Sequence, residues 1–344
     1  MPGTCPKRSA GSARRESGER GAAAPEAGRC GGGARPHSDG FSMTSRTRAA
    51  EGRYTRPKLA MALAEICAAA GLDPRGAKLV RFVNNGVFLL REHPVIVRIV
   101  LAPSFSYRAV NVVEAGRVLA EHQVPAVRLL PGVAQPVRAG GHLATLWQAV
   151  PEAGPAPGGS DLGGLLRQVH ALPVPSTLPE WRPMEDVRRR IADAEELDAA
   201  DCAFLQHYCD DVEERLGRLE FPLARSVVHG DAHLGNLIAG PEGPLLCDLD
   251  SLCAGPPEWD LTPMAVGMLR LGAPPERYRE LAAVYGFDVT AWPGFQVLRD
   301  LRELKITASV LPILRSNPGV REQLRIRLRS MREGDRTVQW EPYR

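Results

Sequence analysis

Long apolar runs are missing from this sequence of 344 residues. No stretch approaches the roughly 18 consecutive apolar residues that cross a bilayer, and the basic N-terminus lacks the apolar core of a secretory signal. The seven cysteines are odd in number and show no CxxC spacing, so no disulfide framework is indicated. The formal net charge of +3 is too small to indicate nucleic-acid binding, since much of the basic excess lies in the N-terminal segment. We therefore expect a cytoplasmic protein, monomeric or dimeric, without membrane or nucleic-acid partners.

Glycine-rich nucleotide motifs are missing as well. Neither G-x-G-x-x-G nor G-x-x-x-x-G-K-[S/T] occurs in the chain. By the absence of the second motif, a P-loop NTPase is excluded. In their place, Asn84-Asn85-Gly86 is a strong hairpin-turn signal between two short apolar stretches.

Composition divides the chain into a tail, two lobes and a linker. Residues 1–50 are rich in Gly, Ala, Arg and Ser and cannot bury enough apolar surface to offset chain entropy, so we expect disorder there. Met43 stands near the onset of globular composition, and the residues before it are interpreted as an upstream-start artefact. The remaining segments are a β-rich lobe over 51–150, a Pro/Gly-rich linker over 151–159, a mainly helical lobe over 160–335 and a short tail over 336–344.

Periodicity predicts the elements of each lobe. In the first lobe we expect helices over 59–70 and 109–122 and strands over 77–83, 86–90, 95–100, 127–130, 135–137 and 143–150. In the second lobe we expect helices from 161 onward and over 184–197, 199–217, 258–271, 275–285, 295–311 and 320–331. The last of these should turn Val320, Leu324, Leu328 and Met331 inward and its arginines outward.

Residues 226–250, which we call the acidic hairpin, carry most of the candidate chemistry. A short strand leads into His229-Gly230-Asp231, a second strand follows Asn236, and a return strand over 245–249 brings Asp248 and Asp250 beside the first loop. Clustered carboxylates are unfavourable unless a cation or a substrate hydroxyl uses them. The pattern therefore indicates a site for a cation or a substrate hydroxyl at the mouth of the hairpin.

The motifs HGDAHLGN and LLCDLD resemble the signature of the aminoglycoside phosphotransferase and choline kinase family. The resemblance covers roughly residues 75–315. It implies an α+β, bilobal fold similar to that of protein kinases, with a small β-rich N-lobe and a mainly helical C-lobe. It also implies transfer of the γ-phosphate of ATP, with Mg²⁺, to a hydroxyl of a small molecule, such as an aminoglycoside-like antibiotic, an amino alcohol or a related metabolite.

The resemblance assigns roles within the acidic hairpin. Asp231 is the base that faces the acceptor hydroxyl, and His229 belongs with it as a support of the loop. Asn236 and Asp248 are Mg²⁺ ligands, with Asp250 as a weaker third candidate. His233 either shapes the loop or contacts substrate. Asp260 braces the loop from the following helix, or alternatively is only a first-turn carboxylate favoured by the helix dipole.

In the first lobe, the resemblance places Arg98 where the strand lysine that binds the ATP phosphates is expected. Asn85 lies in the turn over the phosphates, and Glu114 is the nearest candidate for the carboxylate partner of Arg98. Gln148 and Val150 belong to the strand whose backbone meets the adenine.

Gly230 occupies the position of the arginine in the H-R-D motif of protein kinases. Without that arginine, and with the two motifs too close for a long activation loop, we expect constitutive activity.

Two alternatives keep the same residues. His229, Asp231, His233, Asp248 and Asp250 offer mixed nitrogen and oxygen ligands suited to a divalent-metal hydrolase. Alternatively, the unusual Arg98 is compatible with a catalytically silent ATP-binding protein.

Overall fold

A five-stranded antiparallel sheet forms the first lobe of the computed structural model, which describes residues 55–82, 85–100, 106–315 and 317–343. The predicted disorder of residues 1–50 and the interpretation of Met43 lie outside the described residues. Two helices flank the sheet, α1 (Arg56–Ala70) and α2 (Tyr107–Glu121). The strands are β1 (Lys78–Phe82), β2 (Asn85–Leu89), β3 (Val95–Val100), β4 (Val137–Ala139) and β5 (His142–Gln148), in the sheet order β1-β2-β3-β5-β4.

Alternation along β3 decides which side chain faces the second lobe. Val95, Val97 and Ile99 are buried against α1, in a core that includes Ile66. Successive side chains of a strand point to opposite faces, so Arg98 lies on the face away from α1. The helix itself begins at the Thr55 cap and ends at Gly71, whose φ of 68° is the left-handed conformation predicted by a glycine stop.

One of the predicted strands does not form, and another is displaced along the chain. Residues 127–130 contribute only isolated bridges, from Ala126 to Leu246 and from Leu129 to Trp147, and β4 begins where the strand predicted over 135–137 ends. The backbone of residues 127–130 instead connects the two lobes, because the Val127 N–H donates to the Leu246 carbonyl (2.9 Å).

The second lobe is mainly helical, as the periodicity predicts. Its helices are α3 (Gly159–His170), α4 (Pro183–Ala192), α5 (Ala199–Leu216), α6 (Glu258–Arg270), α7 (Pro275–Tyr285), α8 (Phe295–Ala308) and α9 (Arg321–Arg332). Helix α3 packs on α7, and α8 packs between α5 and α6. The linker rests on this lobe, since Ala153 donates its N–H to the Ala239 carbonyl (2.9 Å).

The acidic hairpin takes part in two small sheets. Strand β6 (Ser226–Val228) pairs with β9 (Cys253–Gly255), and β7 (Leu237–Gly240) pairs with β8 (Gly243–Leu246). The return strand is shorter than predicted, because Asp248 adopts φ 60° and ψ 51° and starts a tight turn over Leu249–Ser251. Left-handed backbone cannot continue a strand, so Asp248 leaves the plane of the hairpin.

The last helix and the terminal segment differ from the predicted outward-facing arginines and free tail. Val320, Leu324, Leu328 and Met331 are buried as expected, but Arg327 is buried too, stacked on the Tyr343 ring at 3.7 Å. Trp340 is 2% exposed and lies over Arg270, whose carbonyl accepts its N–H. Residues 336–343 therefore complete the core of the second lobe.

Within the described residues, no helix is both long and apolar enough to span a membrane. The five cysteines of this part of the chain are all free thiols.

We expect Trp340→Ala to lower the free energy of unfolding by about 3 kcal/mol, because it empties a buried indole site and removes a hydrogen bond to Ser330. Urea unfolding of the full chain measures this loss. Met61→Ala, at a side chain that is 67% exposed, is the control and should change stability by less than about 0.5 kcal/mol. Equal stability of the two variants would show that the terminal segment does not stabilise the lobe.

Candidate active site

The loop over residues 229–236, which we call the HGD loop, is held by one buried carboxylate. Asp260 accepts the backbone N–H groups of His229 (2.6 Å) and Gly230 (2.7 Å) through its two oxygens. His170 Nε2 lies 3.0 Å from the same carboxylate. Asp260 is fully buried in the first turn of α6, so these contacts fix the loop against both α6 and α3. Its position matches the bracing role expected from the sequence.

Gly230 has no room for a side chain. Its φ is 80°, and a Cβ atom there would lie 2.2 Å from the Ser251 carbonyl oxygen. The Gly230 carbonyl in turn accepts a hydrogen bond from Trp259 Nε1 (2.9 Å). The arginine of the H-R-D motif is therefore replaced by glycine for a local reason, namely close contact between the HGD loop and the turn after Asp248.

His229 supports the loop from inside and is fully buried. Its Nε2 lies 3.0 Å from the Cys247 carbonyl, and its Nδ1 accepts the Asp231 N–H at 3.3 Å. These partners assign the proton to Nε2. Both ring nitrogens are thus engaged with the protein, which suits a supporting residue and leaves none to bind a metal.

Asp231 projects from the HGD loop beside two cations of α8. Arg302 Nη1 donates to its Oδ1, and Lys305 lies near enough to act on it electrostatically. Burial alone would raise the pKa of Asp231, but the positive charges of Arg302 and Lys305 outweigh it and hold that pKa well below the usual range. The carboxylate is therefore ionised throughout the neutral range.

His233 lies next to this carboxylate, with its Nε2 4.0 Å from Asp231 Oδ2. Its Nδ1 accepts the Gly235 N–H at 3.0 Å, which shapes the turn that follows. Burial lowers the pKa of His233, and the charge of Asp231 offsets only part of that effect. The ring is therefore neutral near pH 7 and one-third exposed beside the site.

Asn236 is buried and oriented by the loop itself. Its Nδ2 donates to the Asp231 carbonyl (2.9 Å), which leaves the side-chain oxygen as an acceptor. The Cys247 N–H donates to the Asn236 carbonyl (2.9 Å), so the residue that follows, Asp248, starts beside Asn236.

Arg98 crosses from the first lobe to meet both carboxylates of the LLCDLD motif. Its Nη2 donates to Asp248 Oδ1 (2.7 Å), and its two terminal nitrogens form a fork on Asp250, with Nη1 2.6 Å from Oδ1. Arg81 adds a longer contact of 3.5 Å to Asp248. Burial and the nearby charge of Asp248 raise the pKa of Asp250, against the opposing effect of Arg98 and Arg108. Two partly buried carboxylates therefore depend on positive charge supplied by the other lobe.

These residues have the donor chemistry of a magnesium site. The Asn236 side-chain oxygen and the Asp248 and Asp250 carboxylates are hard oxygen ligands, which Mg²⁺ prefers. In the described residues, no three His, Cys, Asp or Glu side chains are grouped as metal ligands. His229, whose two ring nitrogens are both engaged, does not supply the nitrogen ligand that the hydrolase alternative assigns to it.

The other first-lobe candidates lie apart from this cluster. Glu114 was expected to pair with Arg98, but its carboxylate lies 3.7 Å from Arg117 Nη1, on its own helix, and the expected pairing is wrong. The carboxylates on Arg98 are those of Asp248 and Asp250 instead. Helix α2 meets the LLCDLD turn at another point, since it packs on Leu249–Ser251.

The strand expected to meet the adenine is β5 and its exit. The Gln148 N–H donates to the Arg128 carbonyl (2.9 Å), so that group is already used. In the described part of the chain, no hydrogen bond engages the Val150 backbone, which leaves it available at the lobe boundary. Asn85 begins β2 opposite Val100, at the tip of the sheet.

Arg302 and Lys305 are site residues that the sequence analysis missed. Both lie on α8, where the spacing of the apolar residues predicts a buried helix, and Arg302 belongs to no recognised motif. A signal did exist, because charged residues alternate with leucines around the whole helix. Arg299, Asp300, Arg302 and Glu303 are all buried, and a helix so charged can be buried only if its charges are paired.

The sequence of this chain matches a known enzyme family. The model of the phosphotransferase enzyme family, which includes the aminoglycoside phosphotransferases, matches residues 82–301. This is more than half of the chain, so the protein belongs to that family and is a phosphotransferase with an alcohol group as acceptor. No curated protein matches the sequence.

Solved structures of small-molecule kinases share the fold. An amicoumacin kinase crystallised with AMP-PNP and Ca²⁺ superposes with a TM-score of 0.60 at 13% identity, covering 84% of this chain and 96% of its own. Choline kinase from Streptococcus pneumoniae gives 0.56 at 15% identity, over 76% and 96% of the two chains. A spectinomycin phosphotransferase gives 0.51 at 16% identity, over 81% and 94%. The bilobal, protein-kinase-like α+β fold implied by the sequence is thereby confirmed.

We expect Asp260→Asn to lower the free energy of unfolding by about 2 kcal/mol, because an amide nitrogen would face one of the two backbone N–H donors. Loss of loop position should also reduce kcat about 100-fold. Thermal unfolding and steady-state kinetics measure the two effects. Asp210→Asn, at a carboxylate that is 66% exposed, should change neither. A variant with normal kcat would contradict the bracing role.

Arg302→Gln should raise the pKa of Asp231, since burial would then be less opposed by positive charge. In the wild type, the stability from ionised Asp231 is present above its unfolded pKa of about 3.9 and is lost only as pH falls through the lower folded pKa. We therefore expect the acid limb of kcat/KM to lie at higher pH in Arg302→Gln than in the wild type. Arg325→Gln, at an exposed arginine of α9, is the matched control. Superimposable profiles would show that Arg302 does not set the charge of Asp231.

Proposed function

We propose that the protein transfers the γ-phosphate of ATP to a hydroxyl of a small molecule, with Asp231 facing the hydroxyl. The contact of Arg98 with Asp248 and Asp250 carries this proposal. This contact joins a basic side chain of the β-rich lobe to the carboxylates of the acidic hairpin, at the lobe boundary where an ATP-dependent kinase binds the phosphates of ATP. Three structural relatives named as kinases or phosphotransferases for amicoumacin, choline and spectinomycin support the same chemistry.

Arg98 takes the part of the phosphate-binding lysine. A guanidinium forms a planar fork that suits carboxylate and phosphate oxygens equally, so it can exchange one oxyanion partner for another. The free Val150 backbone is the site for the adenine edge, and Asn85 lies at the sheet tip over the phosphates. Glu114 has no part in this arrangement, since its partner is Arg117.

Mg²⁺ would be held by the Asn236 oxygen, Asp248 and Asp250, and when bound it would neutralise charge on the phosphate oxygens. His229 and Asp260 keep the HGD loop in place beneath these ligands. His233 stands one-third exposed beside Asp231 and helps to shape the entrance for the acceptor.

Asp231 orients the acceptor more than it drives deprotonation. Its pKa is held low by Arg302, and a weakly basic carboxylate takes a proton only late in the reaction. In the transfer, the acceptor oxygen forms a bond to the γ-phosphorus while the bond from that phosphorus to the β–γ bridging oxygen breaks. ADP leaves, and the hydroxyl proton passes to Asp231 and then to water.

We expect Asp231→Asn to reduce kcat by about 10²–10⁴-fold without preventing nucleotide binding, because the amide keeps the shape of the side chain but not its charge. The measurement is ATP consumption across a panel of hydroxylated amines, sugars and antibiotics, with thermal shift by Mg-ATP in parallel. Asp211→Asn, which changes an exposed carboxylate of α5, is the matched control.

Turnover that survives Asp231→Asn would reject this mechanism. Binding of Mg-ATP by the wild type without transfer to any acceptor would favour the silent ATP-binding alternative. Thermal unfolding of both variants separates these results from simple loss of the fold.

A further inference from the structure

A cavity of about 370 Å³ adjoins the HGD loop at Gly230. It lies between the start of α2, helix α4 and the turn that follows Asp248, with Lys305 of α8 in its wall. The volume is at the lower end for small-molecule sites, which bury most of a ligand of modest size. The position beside Gly230 places its occupant next to Asp231, the residue that faces the acceptor.

Every carboxylate in the wall of this cavity already has a guanidinium partner. Asp186 is held by Arg108, and Glu185 lies 3.1 Å from Arg182. Two further partners reach in from outside the wall: Arg225 contacts Glu180, and Arg98 contacts Asp250. Four basic and four acidic side chains line the cavity, and Arg98 is shared with Asp248 outside the wall. The carboxylates of the wall are therefore all neutralised by arginines.

Lys305 differs from the arginines of the wall, which are paired with carboxylates. Its ammonium lies 3.4 Å from the Gly230 carbonyl and 5.3 Å from the centre of the Trp259 ring. No carboxylate of the described residues forms an ion pair with it. Burial lowers the pKa of Lys305, an effect that the negative charges of Asp231 and Asp186 oppose. An ammonium so placed has hydrogen-bonding capacity left for a ligand.

We propose that the acceptor carries an anionic group, a carboxylate or a phosphate, that Lys305 binds while the hydroxyl faces Asp231. The inference rests on the proposed phosphotransfer and names its substrate class. A polycationic acceptor would meet Lys305 as a like charge, and the carboxylates that would attract it are already neutralised by arginines. The two features that favour an anion, carboxylates that are all paired with arginines and an ammonium without an ion pair, lie in one cavity.

The test compares related hydroxyl acceptors with and without an anionic group. The pairs are 3-hydroxybutyrate with 3-hydroxybutyramide, gluconate with glucose, and glycerol 3-phosphate with glycerol; choline and kanamycin represent cations. We expect kcat/KM to favour the anionic member by about 10–100-fold, the ratio expected for one hydrogen bond to a charged group. Lys305→Gln should abolish that preference, so that the two members of each pair react with similar kcat/KM in the variant. Lys58→Gln, at an exposed lysine of α1, is the matched control.

A second readout does not depend on turnover. The chain has four lysines, Lys7, Lys58, Lys78 and Lys305, so acylation of each amine can be followed by peptide mass spectrometry. Anionic members of the panel should slow acylation of Lys305 at least about fivefold, the effect of occupying most of the sites, and leave Lys58 and Lys78 unchanged.

The outcomes separate the two proposals. Preference for neutral or cationic acceptors, an anion preference retained in Lys305→Gln, or Lys305 acylation unaffected by every anion would overturn the inference alone. Failure to bind Mg-ATP, together with no transfer to any acceptor, would overturn the proposed function and the inference with it.

Discussion

The Asp260 carboxylate is the contact on which the rest of the site depends. Two consecutive backbone N–H groups can point at one carboxylate only if the chain between them turns sharply, and this turn requires the left-handed Gly230. Because Asp260 is fully buried in the first turn of α6, the helix dipole favours its charge there and compensates part of the desolvation. The HGD loop is thus positioned by helices of the second lobe and by its own backbone, which fixes Asp231 independently of any ligand.

Charge balance links this loop to the rest of the molecule. Arg302 neutralises Asp231 from the helical lobe, and Arg98 neutralises Asp248 and Asp250 from the sheet. A buried carboxylate without such a partner would bind a proton instead, and the site would lose the negative charges that a metal ion needs. The two arginines therefore preserve the ionised site before nucleotide arrives. The same contacts make Arg98 sensitive to whatever approaches the Asp248 and Asp250 carboxylates.

The parts of this site that the sequence predicts are those set by local spacing. The separation of Asp231 from Asn236, the return of Asp248 and the end of α1 near Gly71 all follow from rules that act over a few residues. Local spacing does not determine how one helix or strand is rotated relative to another. Glu114 and Arg117 lie on one helix, and only the docking of α2 decides which side chain faces Arg98. Arg302 lies 71 residues beyond Asp231, and its pairing needs the packed lobe. The early end of the return strand also depends on a tertiary contact, because Asp248 turns away to meet Arg98.

The distribution of basic residues explains why Lys305 differs from its neighbours. Four of the 43 basic residues are lysines, so nearly every internal ion pair uses arginine. A guanidinium stays charged when buried and binds a carboxylate through two parallel hydrogen bonds, which makes it the suitable partner for a permanent structural pair. An ammonium is a compact charge with three rotatable donors and a pKa that burial lowers readily. Such a group is poorly suited to a fixed pair but well suited to a ligand that enters and leaves. The lysine in the cavity wall therefore stands where exchange is useful, and the arginines around it stand where permanence is.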